Sequence, residues 1–374
     1  MRRGARPGGP VVWHLPHGAG NPRNSEGAFV TLADGRLMFA WTQFYGKSWH
    51  DHARARIVAR ISPDGGQSWP GPERVLVDGE GLWNVMSVSF ARLSDGRLAL
   101  FYVRKNGLLD CRLWMRVSED EGQHFGPATA CIHAPGYFVV NNARVLRTRA
   151  GRLIVPAAYH RVRAADDDQH ALDLRGIALF YYSDDDGESW HESADWLALP
   201  VRDGAGLQEP GVVELSDGRL LGWARTGTGR QWVMRSRDGG ERWTRPQRGP
   251  FHSPCSPLSM LRLSDAGADS GPHPGALLAV WNDARHLWDE AARTRLLAAR
   301  ESTWLRTPLV WALSTDEGRS FGPPQVIDAD PERGYGYAAL HEIDGHLLVA
   351  ACCGRAPAIM LQDLCIWRIA LEVR

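Results

Sequence analysis

A chain of 374 residues is long enough for more than one domain, and its formal net charge of zero with a pI near 7.2 offers little attraction for nucleic acid or an anionic membrane. No apolar run reaches transmembrane length, and the opening MRRGARPGGPVVWHLPHG carries basic residues with no apolar segment behind them. Neither a membrane span nor a signal peptide is therefore expected; a cytoplasmic location is, with secretion requiring a leader already removed. The 6 cysteines include no CxxC pair and read as buried thiols in a reducing compartment.

In chain order, GPVVWHLP (9–16) is an apolar stretch without a hairpin partner of its own. GAFVTL and RLMFAWTQF follow, rich in β-branched and aromatic residues and joined by Asp34-Gly35, a hairpin signal. ARIVARIS reads as a third strand, SPDGGQSW (Ser62 to Trp69) as the next turn, and PERVLV as a fourth strand.

The unit then repeats. The box Ser-x-Asp-x-Gly-x-x-aromatic recurs from Ser118 to Phe125, Ser183 to Trp190, Ser236 to Trp243 and Ser314 to Phe321. Interleaved with it, turn glycines at Gly35, Gly96, Gly151, Gly218, Gly275 and Gly345 each separate two apolar stretches. Six units of four antiparallel strands predict an all-β, six-bladed β-propeller, one domain over 1–374. The last unit is one strand short and carries no box, so residues 10–16 are expected to pair with 364–372 and close the ring. In each box the Asp should cap backbone N–H groups, the Gly should take positive φ, and the aromatic should pack inward, burying Trp69, Trp190 and Trp243.

In such an architecture the loops entering each first strand, and those joining second to third strands, share one face with the central channel. These loops are rich in groups that grip polar or acidic ligands, and they nominate Glu26, Arg104, Asn142, His160, Glu209, Arg225, Asn282 and Arg306. The charged segment 161–175 places an Asp run near His160 and His170 without metal-ligand spacing and reads as a solvated loop. No metal and no cofactor are expected.

The repeated boxes, together with QEPGVVELSDGRLLGWAR, RTPLVWALSTDEGRSF and GYGYAALHEIDG, resemble the sialidases of glycoside hydrolase family 33 and the wider Asp-box superfamily. The resemblance implies an exo-glycosidase acting on an oligosaccharide or glycoconjugate. It makes Tyr337 the nucleophile, Glu209 the carboxylate that activates it, and Asp51 the acid/base, its pKa raised by an apolar wall such as Trp49. Arg225 and Arg306 become two of the three arginines that hold a sialic acid carboxylate. Glu26, Arg104, Asn142, His160 and Asn282 complete the substrate-binding set.

One motif departs from the pattern. Sialidases open the first blade with Arg-Ile-Pro, and the matching position here is Ser25, followed by Glu26 and Gly27, with Arg23 two residues out of register. The departure predicts weak cleavage of ordinary sialosides and preference for another sugar, still acidic because Arg225 and Arg306 remain. Two alternatives stand beside this reading. A glycosidase on a non-sialic sugar would work through Glu26 and Asp51. A carbohydrate-binding propeller without catalysis would use aromatics such as Trp83, Tyr137 and Phe138.

Overall fold

The structure, a computed structural model, describes residues 9–163, 171–265, 271–285, 306–330, 333–355 and 361–371. Among them the regular elements are β-strands and no α-helix occurs. After β1 (Val11–Leu15) comes a sheet of β2 (Asn24–Thr31), β3 (Leu37–Phe44), β4 (Ala55–Ser62) and β5 (Arg74–Val77). The next strands are β6 (Asn84–Arg92), β7 (Leu98–Gly107), β8 (Asp110–Ser118) and β9 (Thr129–Ala130), then β10 (Gly136–Val139), β11 (Leu146–Arg147), β12 (Leu153–His160), β13 (Ile177–Ser183) and β14 (His191–Glu192). A fourth group holds β15 (Gln208–Glu214), β16 (Leu220–Arg225), β17 (Arg230–Ser236) and β18 (Gln247–His252). A fifth holds β19 (Ser259–Arg262), β20 (Leu277–Asn282), β21 (Leu309–Ser314) and β22 (Gln325–Asp328). The last comprises β23 (Arg333–Ile343), β24 (His346–Arg355) and β25 (Asp363–Ala370).

Within each group neighbouring strands pair antiparallel in sequence order, with one departure from the expected unit. The first strand of the third group is split into β10 and β11, and β10 pairs parallel with β8, Gly136 opposite Asp110. This joins the second and third groups into one nine-stranded sheet. At the other end of the chain, β1 pairs antiparallel with β25, Leu15 opposite Leu364 and His14 opposite Cys365, and supplies the strand the last group lacks. Contacts between first strands link β2 to both β6 and β23, and link β15 to β19 and β19 to β23. Second strands such as β3 are buried along their whole length, which is why LMFAWTQF reads as an unbroken apolar run rather than an alternating one.

The five boxes fold alike. In the first, Ser62 Oγ donates to Asp64 Oδ1 at 2.8 Å and accepts from the Gly66 amide at 2.8 Å, while Asp64 Oδ1 accepts from the Ser68 amide at 2.9 Å. The same three bonds recur from Ser118, Ser183, Ser236 and Ser314. Each box glycine backs onto the preceding sheet. A Cβ at Gly66 would lie 2.5 Å from Leu348 of the last sheet, and one at Gly187 would lie 2.6 Å from Met115 of the group before it. The residue before the glycine is also left-handed: Gly65 and Gly239 in two boxes, Glu121, Asp186 and Glu317 in the other three. Each of these acids accepts a backbone N–H from the first hairpin of the preceding sheet, at Ala33, Ser94 and Ser216. The opening turn is thus a staple between sheets. Trp69 and Trp243 are buried as expected, the latter stacked on Phe180 at 3.7 Å, whereas Trp190 is half-buried with its edge on Phe101.

Five of the six thiols are buried and Cys255 is partly so; all six are free. Of the segment 161–175, expected as a solvated loop, the Asp run 166–168 lies outside the described residues. The segment's described ends bury Asp173 between Arg163 and Arg175, at 2.9 and 2.6 Å, and set Leu172 and Leu174 against the central cavity. His170 lies outside the described residues. Among the described residues no helix is long and apolar enough to cross a membrane.

Candidate active site

Four first strands share a device that the sequence does not announce. Each carries a β-bulge in which two residues face one on the neighbouring strand: Glu26-Gly27, Ser87-Val88, Glu209-Pro210 and Tyr337-Ala338. The first residue of each bulge has positive φ, at 49°, 63°, 47° and 58°. For a non-glycine residue this conformation is unusual and costs about 1–3 kcal/mol where it is strained. The bulge re-aims one side chain out of strand alternation. Here all four side chains line one cavity of about 170 Å³.

At its centre Tyr337 Oη donates to Glu209 Oε1 at 3.4 Å. Glu209 Oε2 lies 2.9 Å from Arg225 Nε, an ion pair off the line of a hydrogen bond. The Arg306 guanidinium lies over the Tyr337 ring, 5.6 Å from its centre. Burial first, and then the Glu209 charge, push the Tyr337 phenol above its ordinary pKa, with Arg225 and Arg306 pulling the other way. The phenol is neutral at pH 7 and needs a base beside it to act as a nucleophile. Arg225 and Arg306 both donate to the Cys255 carbonyl, at 3.2 and 3.1 Å, while Arg306 Nε and Nη1 have no hydrogen-bond partner among the described residues. Buried donors without partners are costly to a protein.

The first sheet brings a second group of charges. Arg23 is buried, donating to Asp51 Oδ1 at 2.5 Å and to Ser25 Oγ at 3.0 Å, with Glu26 Oε1 at 3.5 Å. Arg23, out of register in the sequence, is held against two carboxyls that line the cavity without lining it itself. Burial pushes the Glu26 carboxyl up to about 7, against the pull of Arg23 and of the Ser87 hydroxyl that donates to it. For Asp51 the expected rise is reversed. Although its side chain is 64 % exposed at the cavity mouth, the surrounding protein works against its charge, but Arg23 and then Lys105 outweigh this and hold it well below the usual carboxylate range. Trp49, expected as its apolar wall, stacks instead on His50 at 4.3 Å.

The remaining expected binders divide. His160 lines the cavity, its Nδ1 3.0 Å from the Asp173 carbonyl, with burial lowering its pKa. Arg104 is not brought in: it stacks on Trp114 at 3.3 Å, and strand alternation gives the cavity its neighbour Lys105. Asn142 and Asn282 are buried supports rather than lining groups. The first donates to the Tyr337 carbonyl at 3.1 Å and the second to the Arg306 carbonyl at 2.9 Å. Sequence reasoning also missed Ser87, Asn141 and the His52 to Tyr137 contact at 3.2 Å. Only the bulge pattern could have pointed to Ser87, and it has no residue signature.

The chain belongs to the family described as BNR repeat-like domain, which matches residues 35–349. Its fold is shared with solved sialidases. It superposes on a protein of unknown function from Dyadobacter fermentans with a TM-score of 0.69 at 16% identity, over 97% of this chain and 100% of that one. The leech intramolecular trans-sialidase gives 0.69 at 14% identity over 97% and 70% of the two chains. The intramolecular trans-sialidase of Ruminococcus gnavus gives 0.69 at 15% identity over 97% and 98%. No curated protein matches the sequence.

Proposed function

We propose that this protein is an exo-acting glycoside hydrolase of the sialidase superfamily that removes a terminal acidic sugar from an oligosaccharide or glycoconjugate. We read its strand groups as the six blades of a propeller closed by β1, with the bulged first strands lining the channel. The observation that carries the catalytic reading is the Tyr337 Oη to Glu209 Oε1 contact of 3.4 Å. Tyr337 oxygen attacks the anomeric carbon as its proton passes to Glu209, and the bond to the leaving oxygen breaks. Asp51, at the mouth where a leaving group departs, protonates that oxygen. Entry of the sugar strips water from Asp51 and raises its pKa, with Arg23 opposing the rise. Water activated by Asp51 then releases the sugar, and the proton on Glu209 returns to Tyr337.

Charge supports an acidic sugar. Lys105 and Arg225 line the cavity with Glu26, Asp51 and Glu209, Arg23 pairs with Asp51 and Glu26 behind it, Arg306 lies over the Tyr337 ring, and Glu26 is about half protonated near pH 7, so counted with these two supporting arginines the cations outnumber the ionised carboxyls. The expectation of weak cleavage of ordinary sialosides rested on a missing first-blade arginine. Arg23 removes part of that ground, and its engagement by Asp51 and Glu26 keeps the rest. The test is a panel of aryl sialosides, uronides and neutral glycosides: cleavage of an acidic member that disappears in Tyr337→Phe supports the reading, and a panel without turnover sinks it.

A second reading rests on one observation. Glu26 is held near neutrality and Asp51 ionised, the separation of pKa values that suits an acid and base pair acting on a non-sialic sugar. Activity that survives Tyr337→Phe but not Glu26→Gln would select it.

A further inference from the structure

Outside the cavity, three metal-ligating side chains meet on the sheet that β1 completes. His14 on β1 stands opposite Cys365 on β25, and Cys353 on β24 lies beside it, Sγ to Sγ 3.0 Å. One ligand atom from each of the three lies within 4.8 Å of the others. Both thiols are buried, while His14 is 42 % exposed, so the cluster is closed on its protein side and open to solvent on the other. Asp363 backs the histidines, 3.4 Å from His14 Nε2 and 2.5 Å from His17 Nδ1. A carboxylate behind an imidazole is the usual support of a metal-binding histidine, fixing its tautomer and orientation.

We propose that His14, Cys353 and Cys365 bind one thiophilic divalent ion of the zinc type, with a solvent water as the fourth ligand, and that this ion clasps β1 to β24 and β25. Two sulfurs and an imidazole nitrogen are the donor set that zinc prefers, whereas calcium and magnesium require oxygen. The register does the assembling: each ligand comes from a different strand, and β1 is the strand whose partners lie at the opposite end of the chain. At a zinc–sulfur distance of about 2.3 Å, the sulfurs must separate by somewhat under 1 Å. The histidine is free to follow from its solvent side.

The experiment uses the full chain without a histidine tag, reduced and stripped of metal with a chelator, then titrated with zinc or cobalt(II). One equivalent of cobalt should produce thiolate-to-metal charge-transfer absorption, and zinc should displace it and raise the Tm by several degrees. His14→Ala, at an exposed position, should keep the metal-free Tm and lose most of the zinc-dependent rise; Cys365→Ser should lose the cobalt band. Two results would overturn the proposal. One is reduced protein that gives neither band nor Tm shift. The other is a zinc response that His14→Ala leaves intact.

Discussion

Tyr337 and Glu209 come from strands far apart in sequence, yet their oxygens lie 3.4 Å apart, because each occupies the left-handed position of a bulge. Neither would face the other under plain strand alternation. Tyr337→Phe and Glu209→Gln should each lower kcat/KM on the best aryl glycoside roughly a thousandfold or more, and the double variant should lose little beyond either single one, since the pair acts as a unit. Additive losses would mean that the two do not share a step.

Glu26 makes stability depend on pH in a direction opposite to most carboxylates. Its pKa rises on folding from 4.5 to about 7, so the folded state holds the proton more tightly. The cost of ionising it is absent below about pH 4.5, grows as pH climbs through 7 and is full above. Glu26→Gln keeps the neutral shape. It should match the parent at pH 4.5 and exceed it at pH 8.5 by up to about 3 kcal/mol, as read from denaturant midpoints. A difference equal at both pH values would show that the buried charge is not its source.

The boxes make a cleaner test of packing. Gly35 and Gly66 both have positive φ, at 84° and 81°, but a Cβ at Gly35 meets nothing within 4 Å while one at Gly66 meets Leu348 at 2.5 Å. Gly35→Ala should cost about 1–2 kcal/mol for the left-handed backbone, and Gly66→Ala about 1–3 kcal/mol more for overpacking against the last sheet. Equal melting of the two variants would remove the staple between the first and last sheets.

That staple was legible because its chemistry is local: Ser, Asp, Gly and an aromatic must stand at fixed spacing for the same three bonds to form. The pairing of β1 with β25 was legible for a similar reason, since GPVVWHLP had no partner nearby and the last unit lacked one. The cavity was legible less evenly. Tyr337, Glu209, Arg225 and Arg306 follow motifs, but Arg104 was nominated where the structure presents Lys105. One residue of register inverts which side chain faces the cavity, and no composition cue fixes register that finely. Arg23 was missed because its guanidinium reaches back past Ser25 to two carboxyls from separate segments. The parallel β8 to β10 pairing has no local signature at all.

Deleting residues 1–16 tests the closure. It removes β1, and with it Trp13, which stacks on Trp69 at 5.5 Å and meets Trp41 edge-on at 5.4 Å. The loss should be about 3 kcal/mol or more, with the edge of β25 exposed to pairing with another chain, visible as a lowered Tm and a concentration-dependent increase in size. A truncated chain that melts like the intact one would mean that β1 contributes nothing to closure.

Arg23 joins the acid/base group to substrate charge, so one substitution reads both. Its guanidinium pulls the pKa of Asp51 and of Glu26 downward, and removing it should let both rise. If Asp51 must be protonated to release the leaving group, activity falls as pH climbs past its pKa. In Arg23→Met that alkaline limb should move upward by about 1–3 units, the span by which a neighbouring arginine depresses a carboxyl. Affinity for an acidic sugar should fall about tenfold or more over the same series, because one cation of the surplus is gone. Stability should fall as well, since Glu26 and Asp51 lose their shared partner, though the exposure of Asp51 keeps the loss below the full cost of breaking a buried pair. The two kinetic effects separate in kcat and KM measured across pH. A limb that stays in place while KM rises would leave Arg23 as a substrate anchor and remove Asp51 from proton transfer. A limb that moves while KM for the acidic sugar is unchanged would instead show that Arg225 and Arg306 alone hold the sugar's charge.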